Sequence, residues 1–121
     1  MKPLWSGTIL GEPASKANSR RVMKLGGQTK FVRSDKAYKY AKDALKQIRR
    51  PAQPILGEVY AIIDIYYRTQ RPDLDESIIL DVLQEAGVYK NDRQVRERHT
   101  SHYIDKENPR AEITLWARGV F

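Results

Sequence analysis

Residues 58–67 constrain the fold most, because this segment is apolar on both faces of an extended chain. Alternate residues of a β-strand point to opposite faces. One face would carry Val59, Ala61, Ile63, Ile65 and Tyr67, and the other Tyr60, Ile62, Asp64 and Tyr66. A strand that is apolar on both faces belongs in the middle of a sheet. The pattern therefore predicts a central strand.

Shorter patterns on both sides predict further strands. Residues 4–10 and 111–116 favour extended structure, and residues 95–103 form a charged strand. Between residues 22 and 32, two short apolar pieces flank the diglycine Gly26-Gly27. Glycine supplies the positive φ of a tight turn, so we expect a mobile basic β-hairpin there. Residues 16–21 are polar and cationic, and we expect a loop.

Two helices are predicted. Ser34 is a suitable N-cap, with Asp35 in the first turn. The apolar stripe of this helix would contain Tyr38, Ala41, Leu45 and Ile48, and the helix would end before Pro51. A second helix is expected over residues 75–86. Its inward face would carry Ile78, Ile79, Val82, Leu83 and Ala86, and Gly87 would form its C-terminal cap.

These elements predict an α+β fold, a mixed β-sheet with two main helices packed on it. A length of 121 residues suits a single domain spanning residues 1–121. The chain contains no cysteine and no apolar run near 18 residues. We therefore expect no disulfide, no thiolate metal site and no membrane span, and a cytoplasmic location.

The charge of +7 is unevenly distributed. Residues 1–50 hold 13 Lys and Arg against three acidic residues, whereas residues 51–121 hold 9 against 12. A basic surface of this kind favours a polyanionic partner such as nucleic acid. The alternative is a solvated surface whose excess charge aids solubility.

The most informative motif for function is Asp73-Leu74-Asp75, which follows Pro72 and precedes Asp92 by 17 residues. Carboxylates are the ligands that Mg²⁺ prefers, and Mn²⁺ is equally compatible with them. A helix over residues 75–86 rises about 16 Å, and residues 86–92 can reach back about 20 Å. Asp92 can therefore return to the helix start within one subunit, or complete a site between two subunits. The alternative is that these aspartates only cap the helix and stabilise its dipole.

Other chemistries have little support in the sequence. An EF-hand loop counted from Asp73 would need Gly and Glu where Ile78 and Gln84 stand. His99 and His102 are three apart in the predicted strand 95–103, so they should point to opposite faces and are expected to be surface residues. There is no phosphate-binding Gly-rich loop and no nucleophile motif.

The segments 71–75 and 81–95 resemble the RusA family of Holliday junction resolvases. The family pattern is roughly a basic residue, Asp-Leu-Asp-Asn, a helix with Asp-Ala-Leu, and then Asp-Asp-x-Gln-Val. The stretch 11–16 with Arg20 and Arg21 is similar to the family's early Gly-x-Pro-x-x-Lys block. The order of elements also agrees, so the resemblance covers nearly the whole chain.

This resemblance implies a homodimeric, Mg²⁺-dependent endonuclease that resolves branched DNA in recombination and repair, in a bacterial or phage-encoded protein. The family's catalytic metal-site aspartates correspond to Asp73, Asp75 and Asp92, while Asn91 stands where many members have another Asp. We expect the DNA contacts to come from cations in the hairpin region and around the site, and from the lysines of the first helix. The residues expected to bind DNA are Lys16, Arg20, Arg21, Lys24, Lys30, Arg33, Arg71, Lys90 and Arg93.

One departure from the family pattern concerns catalysis. The family usually has a Lys on the helix just after Asp-Leu-Asp-Asn, and this chain is about two residues shorter there and has none. Arg71, Lys90 or Arg93 would have to supply that charge, and Glu76 in place of Asn could add a ligand or cap the helix. The alternative functions are a non-catalytic nucleic-acid-binding relative of the resolvases and an RNA-binding or ribosome-associated protein.

Overall fold

The computed structural model of the protein describes residues 2–15 and 20–119. The strands are β1 (Trp5–Leu10), β2 (Arg20–Leu25), β3 (Gln28–Arg33), β4 (Val59–Tyr67), β5 (Val95–Ile104) and β6 (Arg110–Ala117). The helices are α1 (Asp35–Gln47) and α2 (Ser77–Glu85), with a short 3₁₀ turn at Asp92–Gln94. The order of elements is the expected one, and the α+β fold is confirmed.

Four strands form a mixed sheet in the order β1-β6-β4-β5, and β2 and β3 form a separate two-stranded sheet. Strand β4 pairs antiparallel with β6 and parallel with β5, so it is central, as its double apolar pattern predicted. Every second residue of β4 is fully buried: Val59, Ala61, Ile63, Ile65 and Tyr67. The residues between them are partly exposed. The core therefore lies on one face of the sheet, and the other face is less covered.

Local signals explain where several elements begin and end. The Ser34 hydroxyl accepts a hydrogen bond from the Ala37 amide at 3.1 Å, which caps α1. Gly26 and Gly27 have φ of 57° and 81° in the turn of the β2–β3 hairpin. Gly87, with φ of 77°, ends α2. Each residue does what its type and position predicted.

Three details differ from the predictions. Arg20 and Arg21 lie in β2 and not in a loop, because they pair with Arg33 and Val32 across the hairpin. Helix α2 begins at Ser77, so Asp75 precedes the helix. Tyr38 is 64% exposed. The buried stripe of α1 is rotated toward small side chains that allow close packing, and it contains Ala37, Tyr40, Ala41 and Ala44.

The inward face of α2 is as predicted, since Ile78, Ile79, Val82, Leu83 and Ala86 are all buried. Within the described part of the chain, neither helix is long and apolar enough to cross a lipid bilayer.

Candidate active site

Tyr67, the last residue of β4, hydrogen bonds to the loop that carries Asp73 and Asp75. The buried Tyr67 hydroxyl donates to the Asp73 carbonyl at 3.4 Å and accepts from the Asp75 amide at 3.3 Å. Burial is the main cause that raises the pKa of Tyr67, so its hydroxyl stays protonated at neutral pH. One side chain of the central strand therefore fixes the position of the backbone at both aspartates.

Strand β5 lines the other side of this loop. Its register with β4 points Arg98, Thr100 and His102 to the same face as the buried residues of β4. The His102 ring lies 4.5 Å from the Tyr67 ring, and its Nε2 is 3.2 Å from the Pro72 carbonyl oxygen. His102 is thus half-buried against the loop, whereas His99 points to the opposite face, as its spacing predicted.

The carboxylates beside the start of α2 have different partners. Asp75 Oδ1 accepts hydrogen bonds from the Ser77 amide, at 3.0 Å, and from the Ser77 hydroxyl. Asp75 therefore accepts a hydrogen bond from the amide of the first residue of α2 from outside the N-cap position, and it uses one of its two oxygens to do so. Glu76 occupies the N-cap position but makes no side-chain cap bond. Its carboxylate lies 3.1 Å from Arg98 Nε, and its side chain is only 18% exposed.

The N-terminal block of the chain also reaches this loop. The Glu12 carboxylate accepts a hydrogen bond from the Arg68 amide, directly after β4, at 2.7 Å. Lys16, expected to bind DNA, lies outside the described residues.

Asp92 is positioned by two glutamines. The Asp92 amide donates to Gln84 Oε1 at 2.8 Å. Gln94 Oε1 accepts from the amides of Lys90 and Asn91, and Gln94 Nε2 donates to the carbonyls of Ile55 and Gly57. The Asn91 side chain accepts from the Arg93 amide and completes a capping box with Gln94. The Asn91-Asp92-x-Gln94 motif is therefore a hydrogen-bonded turn that orients Asp92.

This turn brings the backbone of Asp92 against the last turn of α2. The amide of Asp92 meets Gln84, three residues beyond Asp81. Burial raises the pKa of Asp81, Arg33 opposes this, and the negative charge of Asp92 raises that pKa further. The charge of Asp92 therefore acts on Asp81, which lies in the family-like segment 81–95 but was not among the expected ligands.

We define the acidic edge as Asp75, Asp81, Glu85 and Asp92. Ser77, Asp81 and Glu85 follow one another at i, i+4 spacing, so they share one side of α2. Asp75 hydrogen bonds to Ser77 at the start of this row, and the Asp92 amide hydrogen bonds to Gln84, next to Glu85 at the end of the row. The acidic edge thus contains Asp75 from the first motif and Asp92 from the second.

The ligand set expected from the sequence is not assembled within the described part of one chain. In residues 2–15 and 20–119, no three His, Cys, Asp or Glu side chains are grouped so as to hold a metal ion. Asp73 is exposed, and Asp75 and Asp92 are half-buried. The assignment of Asp73, Asp75 and Asp92 as metal ligands therefore stays a prediction.

The cationic residues fall into two groups. Arg33, at the end of β3, is 2.5 Å from Glu85 Oε1 and 3.8 Å from Asp81 Oδ2, so it ties the hairpin to the acidic edge. Arg21 lies 3.7 Å from Asp35 and is half exposed. The remaining described cations expected to bind DNA are all exposed: Arg20, Lys24, Lys30, Arg71, Lys90 and Arg93.

Sequence reasoning missed the residues that hold the carboxylates in place. Tyr67 was placed on the correct face of β4, but nothing local indicates where its hydroxyl points. Gln94 stands inside a recognised motif, which could have marked it as structural. Arg98 and His102 carried no signal, because their contacts are with residues 22 and 30 positions away.

A family model described as endodeoxyribonuclease RusA matches residues 11–116 of the chain. A comparison with curated proteins gives no significant match.

Proposed function

The chain belongs to the RusA family of endodeoxyribonucleases, and on this premise we propose that it resolves four-way DNA junctions by metal-dependent hydrolysis of phosphodiester bonds. The observation that carries the proposal is that all four carboxylates of the acidic edge lie within residues 11–116, the part of the chain that matches the family model. Arg33 joins this edge to the base of the cationic hairpin. A phosphate backbone held by the hairpin would therefore run past the carboxylates.

The carboxylates fit a hard divalent cation by their chemistry. Mg²⁺ is usually held by one or two carboxylates, with water and substrate phosphate completing the octahedron, and Mn²⁺ accepts the same oxygen ligands. We assign Asp73, Asp75 and Asp92 as the ligands. Both bonds from Ser77 go to Oδ1 of Asp75, so the other oxygen of this carboxylate is available to bind the ion. When bound, such an ion supplies an activated water and positive charge at the phosphate.

The residues around these carboxylates orient them. Tyr67 holds the backbone of the Asp73–Asp75 loop, and Gln84 and Gln94 hold the turn at Asp92. A buried hydroxyl and two hydrogen-bonded amides keep catalytic groups positioned before substrate arrives.

DNA binding is assigned to the exposed cations. Phosphate contacts position DNA without reading its sequence, which suits an enzyme that recognises a branched shape. We assign this role to Lys16, Arg20, Arg21, Lys24, Lys30, Arg71, Lys90 and Arg93, whereas Arg33 anchors the hairpin. Action on DNA in recombination and repair implies a cytoplasmic site of action in a bacterial or phage setting.

We also propose a homodimer. A junction has paired strands of the same polarity, and a twofold dimer presents two equivalent sites to them. A metal site completed between subunits would fit the incomplete ligand set of the single chain. Sedimentation velocity on the intact protein measures the oligomeric state directly, and a monomer at micromolar concentration would contradict this part of the proposal.

The second candidate function is a non-catalytic DNA-binding relative. It is favoured by the first turn of α2, where Ser77, Ile78 and Ile79 stand and no Lys is present. Arg98, paired with Glu76, brings a cation to this end of the helix, which favours the enzyme.

A cleavage assay on a labelled four-way junction separates the two. We expect cleavage with Mg²⁺ or Mn²⁺ and none with EDTA. Asp73→Asn should abolish cleavage while junction binding survives. Asp43→Asn, an exposed aspartate on α1, is the matched control and should cleave normally. Metal-independent binding without any cleavage would favour the binding module, and unchanged cleavage by Asp73→Asn would overturn the site assignment.

A further inference from the structure

The β2–β3 hairpin exposes an apolar pair among its cations. Val22 and Phe31 face each other across the two strands. Phe31 is 72% exposed and Val22 is 56% exposed. Leaving a large apolar side chain in water forgoes about 1.5–3 kcal/mol of burial free energy, so this exposed pair, set among cations, is a candidate binding surface.

The pair lies on the same side of the hairpin as Arg33, which contacts the acidic edge. Cross-strand pairs two residues apart share one face of a hairpin, so Arg20–Arg33, Val22–Phe31 and Lys24–Thr29 are stacked on one side. Arg33 contacts Glu85 and Asp81, and the charge of Arg20 also acts on Asp81. The apolar pair is therefore one step along the hairpin, about 7 Å at the usual strand rise, from the Arg20–Arg33 pair, whose Arg33 side chain contacts the acidic edge.

The chemistry of this face identifies the ligand. The cations above and below the apolar pair attract a polyanion, and the flat ring of Phe31 offers a surface on which a nucleic-acid base can stack. The faces of bases are hidden inside a continuous duplex and become available where stacking is interrupted. A branch point is such a place, and apolar wedges are known to enter DNA at disrupted base steps.

We propose that Val22 and Phe31 form a wedge that stacks on a base at the branch point of DNA and so positions the neighbouring phosphate at the acidic edge. This inference rests on the proposed function and specifies how that site selects branched DNA. The hairpin cations supply affinity for any DNA, and the apolar pair supplies the preference for an interrupted stack.

The test compares binding of a four-way junction and of a linear duplex of equal length, by the intact protein, without metal and at one salt concentration. Base stacking on an aromatic side chain corresponds to a change of about 5- to 150-fold in Kd. Phe31→Ala should weaken junction binding by that factor and duplex binding by less than about twofold. Phe31→Trp should retain junction binding. Leu56→Ala, which removes a side chain that is 73% exposed outside the hairpin, is the matched control and should change neither.

A second readout places the contact at the branch. A 2-aminopurine at the branch point should change fluorescence on binding of the wild type and of Phe31→Trp, and not on binding of Phe31→Ala. Thermal unfolding of each variant shows that the fold is retained.

The outcomes distinguish this inference from the proposed function. If the wild type prefers junctions and Phe31→Ala keeps that preference, the wedge is wrong and the resolvase proposal stands. Equal losses on junction and duplex would also overturn the wedge, because the pair would then serve general DNA affinity. If Phe31→Ala changes the sedimentation coefficient without DNA, the pair is a contact between protein copies. If the wild type shows no preference for junctions, both proposals fall.

Discussion

The hydroxyl of Tyr67 accepts a hydrogen bond from the Asp75 amide at 3.3 Å, and the same hydroxyl donates to the carbonyl of Asp73. Tyr67 is fully buried and ends the central strand. The central strand of the sheet is thus linked by one atom to the loop that carries two candidate ligands.

Tyr67→Phe should therefore impair function more than stability. Loss of two long hydrogen bonds should lower the free energy of unfolding by about 1–2 kcal/mol. Misplacement of a catalytic group by about 1 Å can cost on the order of 100-fold in rate, so junction cleavage should fall at least tenfold. Cleavage kinetics and urea unfolding of the same preparation measure both quantities.

Tyr40→Phe is the matched control for that substitution. Tyr40 is also buried, and its hydroxyl has no hydrogen-bond partner among the described residues. Removing an unpaired buried hydroxyl should leave stability unchanged or slightly raise it. If the two variants lose equal activity, the link from Tyr67 to the loop has no special role.

Arg98→Ala should destabilise the protein and slow cleavage. Glu76 is only 18% exposed, and Arg98 is its charged partner, so the substitution leaves a poorly hydrated carboxylate beside Asp75. The expected loss of stability is about 1 kcal/mol, given that Arg98 itself is half exposed.

Arg96→Ala, on the same strand, is the control for Arg98→Ala. Its partner Glu58 is 58% exposed and also lies 3.2 Å from Arg118. A change within about 0.5 kcal/mol is expected. A loss at Arg96 that matches the loss at Arg98 would mean that the burial of Glu76 has no consequence.

Gly87→Ala should destabilise the end of α2. A side chain at φ of 77° meets its own backbone, and the expected cost is about 1 kcal/mol. Gly57→Ala is the control, because a Cβ at Gly57 meets nothing within 4 Å and no left-handed φ is required there. Thermal unfolding should rank Gly87→Ala as the less stable variant, and the reverse order would contradict the role of Gly87 as a C-cap.

The Asp105–Arg110 ion pair should make stability depend on pH. The hydrogen bond from Arg110 is the main cause that lowers the pKa of Asp105. A folded-state pKa below the unfolded value of about 3.9 adds stability at higher pH, and this stability is lost as the pH falls through the folded-state pKa. The Tm difference between wild type and Asp105→Asn should therefore be largest near neutral pH and vanish in strong acid. A difference that persists in acid would show that the charge of Asp105 is not its cause.

The elements of the fold could be predicted because their signals are local. The alternation in β4, the diglycine of the hairpin, the Ser34 cap and Gly87 each act within a few residues. The exposure of Tyr38 could not be predicted, because the small side chains of α1 decide which side of the helix approaches its neighbours.

The sequence by itself determined the order of strands and helices, the central place of β4 and the residue types available for catalysis. Tertiary structure alone decided that the Tyr67 hydroxyl holds the loop, that the Asp92 amide meets Gln84, and that Arg33 pairs with Glu85. Periodicity and turn signals report on neighbours along the chain. Contacts between residues tens of positions apart depend on how the elements pack, so they appear only when the core has formed.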